Sequence, residues 1–439
     1  MTPDEAFLQD VCEHPDDDAP RLVYADWLDE HGRPERAEFI RVECELEHAE
    51  EHGPRWRQLT ARQIDLIRAH KKEWVKPFKG WTYSTHFRRG FVEAVSVSLQ
   101  RFTTRAAELF RLAPVRQVHF TRLYALDDMR VAPATVAAIA AVPQLRRARG
   151  LDFGGQYLRD EGLRAFLRAA DLRNVTTLLL RSCHLTAPGA EALAAAPGLA
   201  GLTTLDLSNN STNFQAATGL VAALVRAPSF RLEALDLSRN DLTDLAARAL
   251  AASPHLRRLR ILSLGQNRLS DAGLRALVQS PHLPALTDLE LGQVFTGAFT
   301  DAGLAALAQS PCPPRLRALG LAGAHVGDAG LAALAGYRHL DALRKLDLSK
   351  VRTPFALLNA SGITDAGARV LASLPALAGL RWLNLENNAL TDAGAQALLT
   401  SPHLAGLGFL NLKGSRIGAE TQRAFRKRYG PGVCTFSRP

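Results

Sequence analysis

Apolar residues recur along most of this chain in a unit that reads Leu-x-x-Leu-x-Leu, followed by a polar turn and an alanine-rich stretch. The unit begins near Val92, and successive copies are mostly 27 or 30 residues apart. A regular period of this length indicates a chain built from stacked repeats. The middle apolar positions of the copies are Val95, Val118, Leu151, Leu178, Leu205, Leu235, Leu262, Leu289, Leu319, Leu346, Leu383 and Leu410.

Each unit predicts one strand and one helix. In Leu-x-x-Leu-x-Leu the leucines point inward and the alternate residues point out of a parallel sheet. The next segment predicts a helix, because Ser or Thr stands before Asp-Ala-Gly at Ser270, Thr300, Thr364 and Thr391, where a hydroxyl can cap a helix. The predicted fold is therefore an α/β solenoid with a curved parallel sheet inside and helices outside.

The turn after each strand ends in a polar residue that can satisfy the buried backbone of the bend. This residue is Cys183, Asn210, Asn240, Asn267 or Asn388. Three consecutive repeats replace it with Val294, Ala324 and Val351, so we expect altered turns there.

The charge distribution separates the N-terminus from the repeats. The net charge is +9, but residues 1–52 hold 4 Arg or Lys against 17 Asp or Glu, whereas residues 53–90 hold 10 against 2. We expect an acidic helical domain at 1–52, a helix with a basic and aromatic connector at 53–90, about 12 repeats at 91–429, and a closing strand and tail at 430–439. An acidic head on a basic body suggests that the two attract each other.

Two resemblances follow from these residues. The 27- to 30-residue repeats with Leu-x-x-Leu-x-Leu-x-x-Asn/Cys and a full helix resemble the ribonuclease-inhibitor-like leucine-rich repeats, from Phe91 to Phe436. The segment from Asp16 to Gly32, with Arg36 to Arg41, is similar to the bacterial repeat-companion domain. In that family this domain precedes repeat regions, so the resemblance implies an architecture and little chemistry.

The outward positions of the strands suggest a binding surface. The residue between the last two leucines includes Asp206, Asp236, Glu290, Asp347, Asn384 and Asn411, and three positions earlier stand Arg260, Arg317, Arg344 and Arg381. Strands about 4.8 Å apart would align these residues as an acidic stripe and an arginine stripe, which are either a docking surface or ordinary solvated charge. Trp382 and Phe409 add aromatic side chains that are either binding hot spots or covered by the terminal strands.

Other chemistry has weaker support. His48-Ala-Glu-Glu-His52 matches a zinc-protease motif, but a helix break follows it and no third ligand is evident, so we interpret it as a charged helix end. The aromatic connector could bind single-stranded nucleic acid or cover the first repeat. The five cysteines are dispersed, no 18-residue apolar run occurs, and the N-terminus lacks a signal peptide, which together favour the cytoplasm.

We therefore expect a cytoplasmic, monomeric, non-enzymatic scaffold that binds a protein ligand on the concave face, with no catalytic, cofactor or metal site. Nucleic acid and membranes are not expected as partners. The alternatives are nucleic-acid binding through the connector, and stimulation of a GTPase, since Ran GTPase-activating proteins use similar repeats. Fold similarity alone does not assign that activity.

Overall fold

The computed structural model describes residues 1–50, 53–121, 131–210, 214–227, 230–292, 299–310, 314–350, 362–430 and 432–437. The chain forms two compact units. Unit 1 comprises Met1–Cys183 and Ala196–Gly201, and unit 2 comprises His184–Ala195 and Leu202–Pro439. The boundaries predicted at residues 52 and 90 stay predictions.

Unit 1 begins with four helices and continues with strands that alternate with helices. Strand β1 is antiparallel to β2, and the strands from β2 to β5 pair in chain order and in parallel. The elements are α1 (Pro3–Glu13), α2 (Ala19–Glu30), α3 (Pro34–His48), α4 (Pro54–Trp74), β1 (Ser84–Arg88), β2 (Phe91–Ser98), α5 (Leu99–Leu112), β3 (Gln117–Thr121), α6 (Pro133–Ala140), β4 (Gly150–Asp152), α7 (Arg159–Ala169) and β5 (Thr177–Leu179).

The N-terminal helices of unit 1 pack around two small apolar cores. Val11, Leu28 and Ile40 are fully buried in the first core, which also includes Phe91 of β2. The second core is built on Phe39 and is completed by Leu59 and Leu66 of α4 together with Val42. Strand β2 thus contributes a side chain to the interior of the helical head.

Unit 2 repeats the strand and helix many times. Its elements are α8 (Ala187–Ala194), β6 (Thr204–Asp206), α9 (Phe214–Val225), β7 (Ala234–Asp236), α10 (Asp244–Ala252), β8 (Ile261–Ser263), α11 (Asp271–Val278), β9 (Asp288–Glu290), α12 (Asp301–Ala308), β10 (Ala318–Gly320), α13 (Asp328–Leu334), β11 (Lys345–Asp347), α14 (Asp365–Ser373), β12 (Trp382–Asn384), α15 (Asp392–Thr400), β13 (Phe409–Asn411), α16 (Ala419–Tyr429) and β14 (Cys434–Thr435).

The strands of unit 2 pair in chain order and in parallel, from β6 to β14. The middle apolar residue of one strand is in register with that of the next, as in Leu235, Leu262 and Leu289, and each of these leucines is at most 1% exposed. The predicted α/β class, with parallel strands alternating with helices, is confirmed.

The asparagines at the turns form a buried ladder in unit 2, as their pattern predicts. The Asn240 side chain donates to the carbonyls of Leu207 and Leu237, at 2.9 and 3.0 Å, and accepts from the backbone N–H of Asn210 at 2.8 Å. Asn267 repeats this pattern one strand further on. Each amide therefore satisfies backbone groups of two successive turns that would otherwise be buried without partners.

The turn at Ala324 has a backbone conformation like that of the asparagine turns, but a different side chain donates to its carbonyls. Its preceding residue, Gly323, has φ 77°, close to the left-handed φ of 56° at Gln266 before an asparagine. The ammonium group of Lys350 donates to the carbonyls of Ala324 and Val326, and burial lowers the pKa of this lysine to about 8. The expected difference in this turn is therefore a change of hydrogen-bond donor, from an asparagine amide to the ammonium group of Lys350. Val294 and Val351 lie outside the described residues.

A second ladder joins the starts of the helices in unit 2. The hydroxyl groups of Ser270, Thr300, Thr364 and Thr391 each cap their own helix, as predicted. Each hydroxyl also donates to the aspartate that begins the preceding helix, at 2.6 Å, and the backbone N–H of the same residue donates to that aspartate at 2.8 Å. The glycine of Asp-Ala-Gly makes room for this carboxylate, since a Cβ at Gly303 would come within 2.5 Å of Asp271.

The connector contains a strand that the sequence pattern did not predict. Strand β1 forms a hairpin with β2, and its turn residues Arg89 and Gly90 have φ of 49° and 82°. Positive φ at both residues suits the tight turns that join twisted antiparallel strands. The connector therefore adds one antiparallel strand before the parallel strands of the repeats, which we expected to begin at Phe91.

Candidate protein-binding surface on the sheet

Side chains on the outward face of the unit 2 sheet form three parallel columns. The polar column is the third residue of each strand, and its members are in register from strand to strand. The middle column is the first residue of each strand, and the arginine column is the residue just before a strand. The polar column contains Asp206, Asp236, Ser263, Glu290, Gly320, Asp347, Asn384 and Asn411, and the arginine column contains Arg260, Arg317, Arg344 and Arg381.

The polar column is tied to the ends of its own strands. The carboxylates of Asp236 and Asp347 accept the backbone N–H two residues further on, at 2.8 and 3.0 Å. The same bond is made by Asp206, Glu290, Asn384 and Asn411. This local bond stabilises a turn, and Asp and Asn are the residues that make it best. The acidic stripe predicted from the sequence therefore has a structural role at every one of these positions.

Glu290 extends across the space left by a missing side chain. A Cβ on Gly320, its partner in the next strand, would lie 1.8 Å from the Glu290 carboxylate. Burial raises the pKa of Glu290, and the negative charges of Asp347 and Asp236 act in the same direction against a bond from Gly292 and the charge of Lys345. Burial at this position thus disfavours the negatively charged form of Glu290.

Trp382 and Phe409 stack on adjacent strands near the C-terminal end of the sheet. Their ring centroids are 4.9 Å apart with an interplanar angle of 8°, and the Lys345 ammonium lies 4.9 Å from the centroid of the Trp382 ring. These three residues are in register in the middle column. Both aromatic side chains are half-buried. The faces of the Trp382 ring are occupied, so an incoming molecule would meet the edges of the stacked rings.

The arginine column is exposed and lies apart from the polar column. Arg344 donates to the carbonyls of Asp341 and Leu343, at 2.8 and 3.0 Å, and Arg381 donates to the carbonyls of Ala378 and Leu380. Among the described residues no ion pair joins the arginine column to an acidic side chain. The structure therefore brings the predicted arginines and acids onto one face without pairing them.

Unit 1 uses the same strand position differently. Arg116 and Arg149 stand just before β3 and β4, and both bind the Asp16 carboxylate from the loop between α1 and α2, at 2.8 and 2.9 Å. Burial opposes ionisation of Asp16, but the bonds and charges of these two arginines outweigh it and lower its pKa. The acidic head and the basic repeats are thus joined by charge, as their composition suggests.

A buried charge cluster lies behind this contact in unit 1. Arg21 of α2 is fully buried and donates to Glu93 of β2 at 2.6 Å, and Arg89 approaches the same carboxylate at 3.3 Å. Burial raises the pKa of Glu93 even with both arginines beside it. The cluster connects a residue of the Asp16–Gly32 motif to the first repeat, a connection that the motif alone does not reveal.

Four aromatic residues of the connector pack within unit 1, whereas Tyr83 is 46% exposed. Trp74 lies 4.6 Å from Phe39 between ring centroids, and Phe78 and Trp81 are buried. The Arg36 guanidinium lies within 5.9 Å of the ring centroids of Phe39, Trp74, Phe87 and Phe91. These contacts agree with the interpretation of the connector as a cover for the first repeat.

The described residues contain no group of side chains arranged to hold a metal ion. His48, from the zinc-like motif, instead contacts Asp18 at 2.8 Å, and His52 lies outside the described residues. None of the described helices has the length and hydrophobicity needed to cross a membrane.

Comparison with known proteins supports the repeat architecture. The family model described as Leucine Rich repeat matches residues 171–194, 231–251, 255–278 and 380–399. No curated protein shows significant similarity to this chain. Among solved structures, a yeast complex of Rad7 and Elc1 is similar with a TM-score of 0.50 and 15% identity, over 99% of this chain and 95% of that one. An internalin from Listeria monocytogenes str. 4b F2365 is 15% identical over 79% and 87%, with a TM-score of 0.41.

The matched segments fall on the strand-and-helix repeats described above, and together they support a leucine-rich repeat protein. The similarity to the yeast structure extends to the fold and no further, because fold does not determine what a surface binds.

Proposed function

We propose that this protein is a non-enzymatic scaffold whose sheet face in unit 2 binds a protein ligand. The observation that supports this most is the half-buried stack of Trp382 and Phe409 beside the exposed arginine column. Aromatic and arginine side chains supply most of the binding energy at protein interfaces. Repeat proteins present such side chains on extended surfaces, and the yeast structure of similar fold is itself a complex of two proteins.

The ligand would contact the face at the end formed by β10 to β13. There the middle column changes from Ala318 to Lys345, Trp382 and Phe409, which places two half-buried aromatic rings beside an exposed ammonium group. Asp347, Asn384 and Asn411 lie one step along the strands and supply polar contacts around the aromatic rings. An apolar centre with a polar margin is typical of a protein interface.

The test begins with purification of the tagged protein from its native cells and identification of its partner by mass spectrometry. Trp382→Ala and Phe409→Ala should each weaken capture of that partner about 30-fold, as expected for a hot spot of about 2 kcal/mol. Leu245→Ala is the matched control, because Leu245 is an exposed apolar residue of helix α10. Equal capture by all three variants would exclude this surface.

Further properties belong to the same proposal. We infer that the repeats are of the ribonuclease-inhibitor-like type, that residues 1–52 are a repeat-companion domain of a bacterial protein, and that the protein is a cytoplasmic monomer. The helix in each repeat supports the repeat type, and the ion pair between Asp16 and Arg116 supports an N-terminal domain that contacts the first repeats. Light scattering in solution would test the monomeric state.

The two alternative functions have less support. Nucleic-acid binding through the connector would need several accessible aromatic rings, but Trp74, Phe78, Trp81 and Phe87 all pack in unit 1, which leaves Tyr83 as the exposed ring. A salt titration of nucleic-acid affinity would test it. Stimulation of a GTPase remains a prediction from repeat similarity, and GTP hydrolysis by small GTPases of the host would test it.

A further inference from the structure

In unit 1, one carboxylate binds two arginines that stand just before adjacent strands. Arg116 and Arg149 precede adjacent parallel strands, and the Arg149 backbone N–H donates to the Arg116 carbonyl at 2.7 Å. The Asp16 carboxylate lies between their guanidinium groups, at 2.8 and 3.0 Å from Arg116 and 2.9 Å from Arg149. One acidic side chain can therefore bridge two arginines in consecutive repeats.

Unit 2 contains the same arrangement on three consecutive strands. Arg317, Arg344 and Arg381 precede β10, β11 and β12. The Arg344 backbone N–H donates to the Arg317 carbonyl at 2.7 Å, and that of Arg381 donates to the Arg344 carbonyl at 2.8 Å. The backbones of these arginines are thus spaced like those of Arg116 and Arg149, and they provide two adjacent pairs.

The arginines of unit 2 differ from those of unit 1 in their partners. All three are exposed, and no described carboxylate lies within ion-pair distance of them. The guanidinium groups of Arg344 and Arg381 are held by loop carbonyls and lie against Gly379 and Gly406, where a Cβ would come within 2.3 Å of them. Two of the three cations are therefore held in position in advance, which reduces the entropy lost on binding.

Positive charges outnumber negative charges around these arginines, where the nearby acids are Asp288 of β9 and Asp341, which pairs with Arg315. Lys345 adds a fourth exposed positive charge beside Arg344. The acids of the polar column lie at the opposite ends of the strands, where Asp347 is bonded to Ser349 and to Asn384. A bidentate guanidinium is the best side chain for a carboxylate ligand.

We infer that Arg317, Arg344 and Arg381 form a docking strip for an acidic segment of the protein ligand, whose carboxylates bridge neighbouring arginines as Asp16 bridges Arg116 and Arg149. This inference rests on the proposed function and adds the chemistry of the partner to it. The aromatic pair Trp382 and Phe409 would then contact an apolar side chain next to the acidic segment.

A simple probe for the strip is a fluorescein-labelled peptide of twelve residues in which Asp and Gly alternate. Its affinity for the full-length protein is measured by fluorescence anisotropy, against the same peptide with Asn in place of Asp. The Asp peptide should bind more tightly, and its advantage should decrease as salt is raised, because the strip is exposed. Equal binding of the two peptides would overturn the inference.

Variants of the full-length protein locate the bound peptide. Arg344→Gln removes the arginine shared by both pairs and should weaken Asp-peptide binding about fivefold, the range of one or two exposed ion pairs. Arg275→Gln is the matched control, because Arg275 is exposed on helix α11. Loss of affinity in the control to the same degree would mean that the peptide binds by net charge alone.

Asp16→Asn tests the comparison on which the inference depends. Asp16, Arg116 and Arg149 line a cavity of about 480 Å³ in unit 1, and removal of the charge at position 16 should open a second site for the Asp peptide. Asp16→Asn in the Arg344→Gln background should therefore regain Asp-peptide binding. If it does not, bridging by neighbouring arginines is not a general property of this position.

Failure of the inference can be told from failure of the proposed function. A photo-crosslinking residue in place of Gly408, next to Arg381 in the repeat order, would mark the segment of the identified ligand that lies there. An acidic segment at that position would support the inference. A basic segment would overturn the inference but would still agree with the proposed protein-binding function. Concentration-dependent self-association that Arg344→Gln abolishes would assign the strip to a second copy of this chain and would also overturn it.

Discussion

Two sets of arginines occupy the same place in the repeat and have different partners. Arg116 and Arg149 in unit 1 are bound by Asp16, whereas Arg317, Arg344 and Arg381 in unit 2 face solvent without a described carboxylate. The position of an arginine just before a strand therefore does not by itself decide whether that arginine stabilises the fold or binds a ligand. Its role depends on whether the chain itself supplies an anion, and this distinction leads to separate predictions for stability and for binding.

The largest effect should follow from removal of the buried anion of unit 1. Glu93→Ala leaves Arg21, which is fully buried, without its carboxylate partner. Uncompensated burial of a charge costs about 3–5 kcal/mol of unfolding free energy. Tryptophan fluorescence during urea unfolding should detect this, since Trp27, Trp56, Trp74 and Trp81 all lie in unit 1. Glu420→Ala, at an exposed site on α16, is the control, and an equal loss in both would contradict the assignment.

A smaller effect should follow from removal of the exposed anion. The Asp16 side chain is 67% exposed, so its two ion pairs are screened by solvent. Asp16→Asn should therefore lower the unfolding free energy of unit 1 by about 1 kcal/mol. A loss as large as that of Glu93→Ala would show that Asp16 belongs to the buried cluster.

The contribution of Asp16 should also depend on pH. Its pKa in the folded protein is lowered below 3.8 by Arg116 and Arg149, despite the opposing effect of burial. A group of this kind contributes stability that is complete above the unfolded pKa and is lost as the pH falls through the folded pKa. The stability difference between wild type and Asp16→Asn should stay constant from about pH 7 to pH 5 and close below about pH 4. A difference that disappears near pH 6 would point to another group.

The smallest effect is expected in unit 2. Arg344→Gln should change the unfolding free energy by less than about 0.5 kcal/mol, because Arg344 is exposed and pairs with no described acid. Urea unfolding followed by circular dichroism would measure it. A loss above about 1 kcal/mol would make this arginine structural and remove the contrast between the two units.

The sequence predicted those features in which one repeat contains all the information. The inward leucines, the turn asparagines and the helix caps follow from periods of two and 3.6 residues and from local hydrogen-bonding needs. Asn240 and Thr300 accordingly occupy the predicted positions. The bond from Thr300 to Asp271 was missed because it joins two repeats, and no single repeat reveals which neighbour fills the space beside Gly303.

Other features were missed for different physical reasons. The β1–β2 hairpin was not predicted, because the basic and aromatic composition of the connector does not show the alternation of a strand. The Arg89-Gly90 pair, however, is typical of a hairpin turn. The acidic stripe was predicted at the right positions, but its bond to the backbone two residues on was not considered. Lys350 donates to carbonyls in the turn of the preceding repeat, and this contact forms only when both repeats are folded. Which of the predicted face residues bind a ligand stays a prediction.

The hydroxyl-to-aspartate bonds between helices have a consequence for how such a protein can change length. At four joints the aspartate of one repeat accepts from the Ser or Thr hydroxyl of the repeat that follows, so these four joints are chemically the same. Duplication of a repeat that has both groups, such as the one that begins helix α11 with Ser270 and Asp271, would therefore create no mismatched junction. A change of one or two residues in the spacing would separate donor from acceptor at that joint.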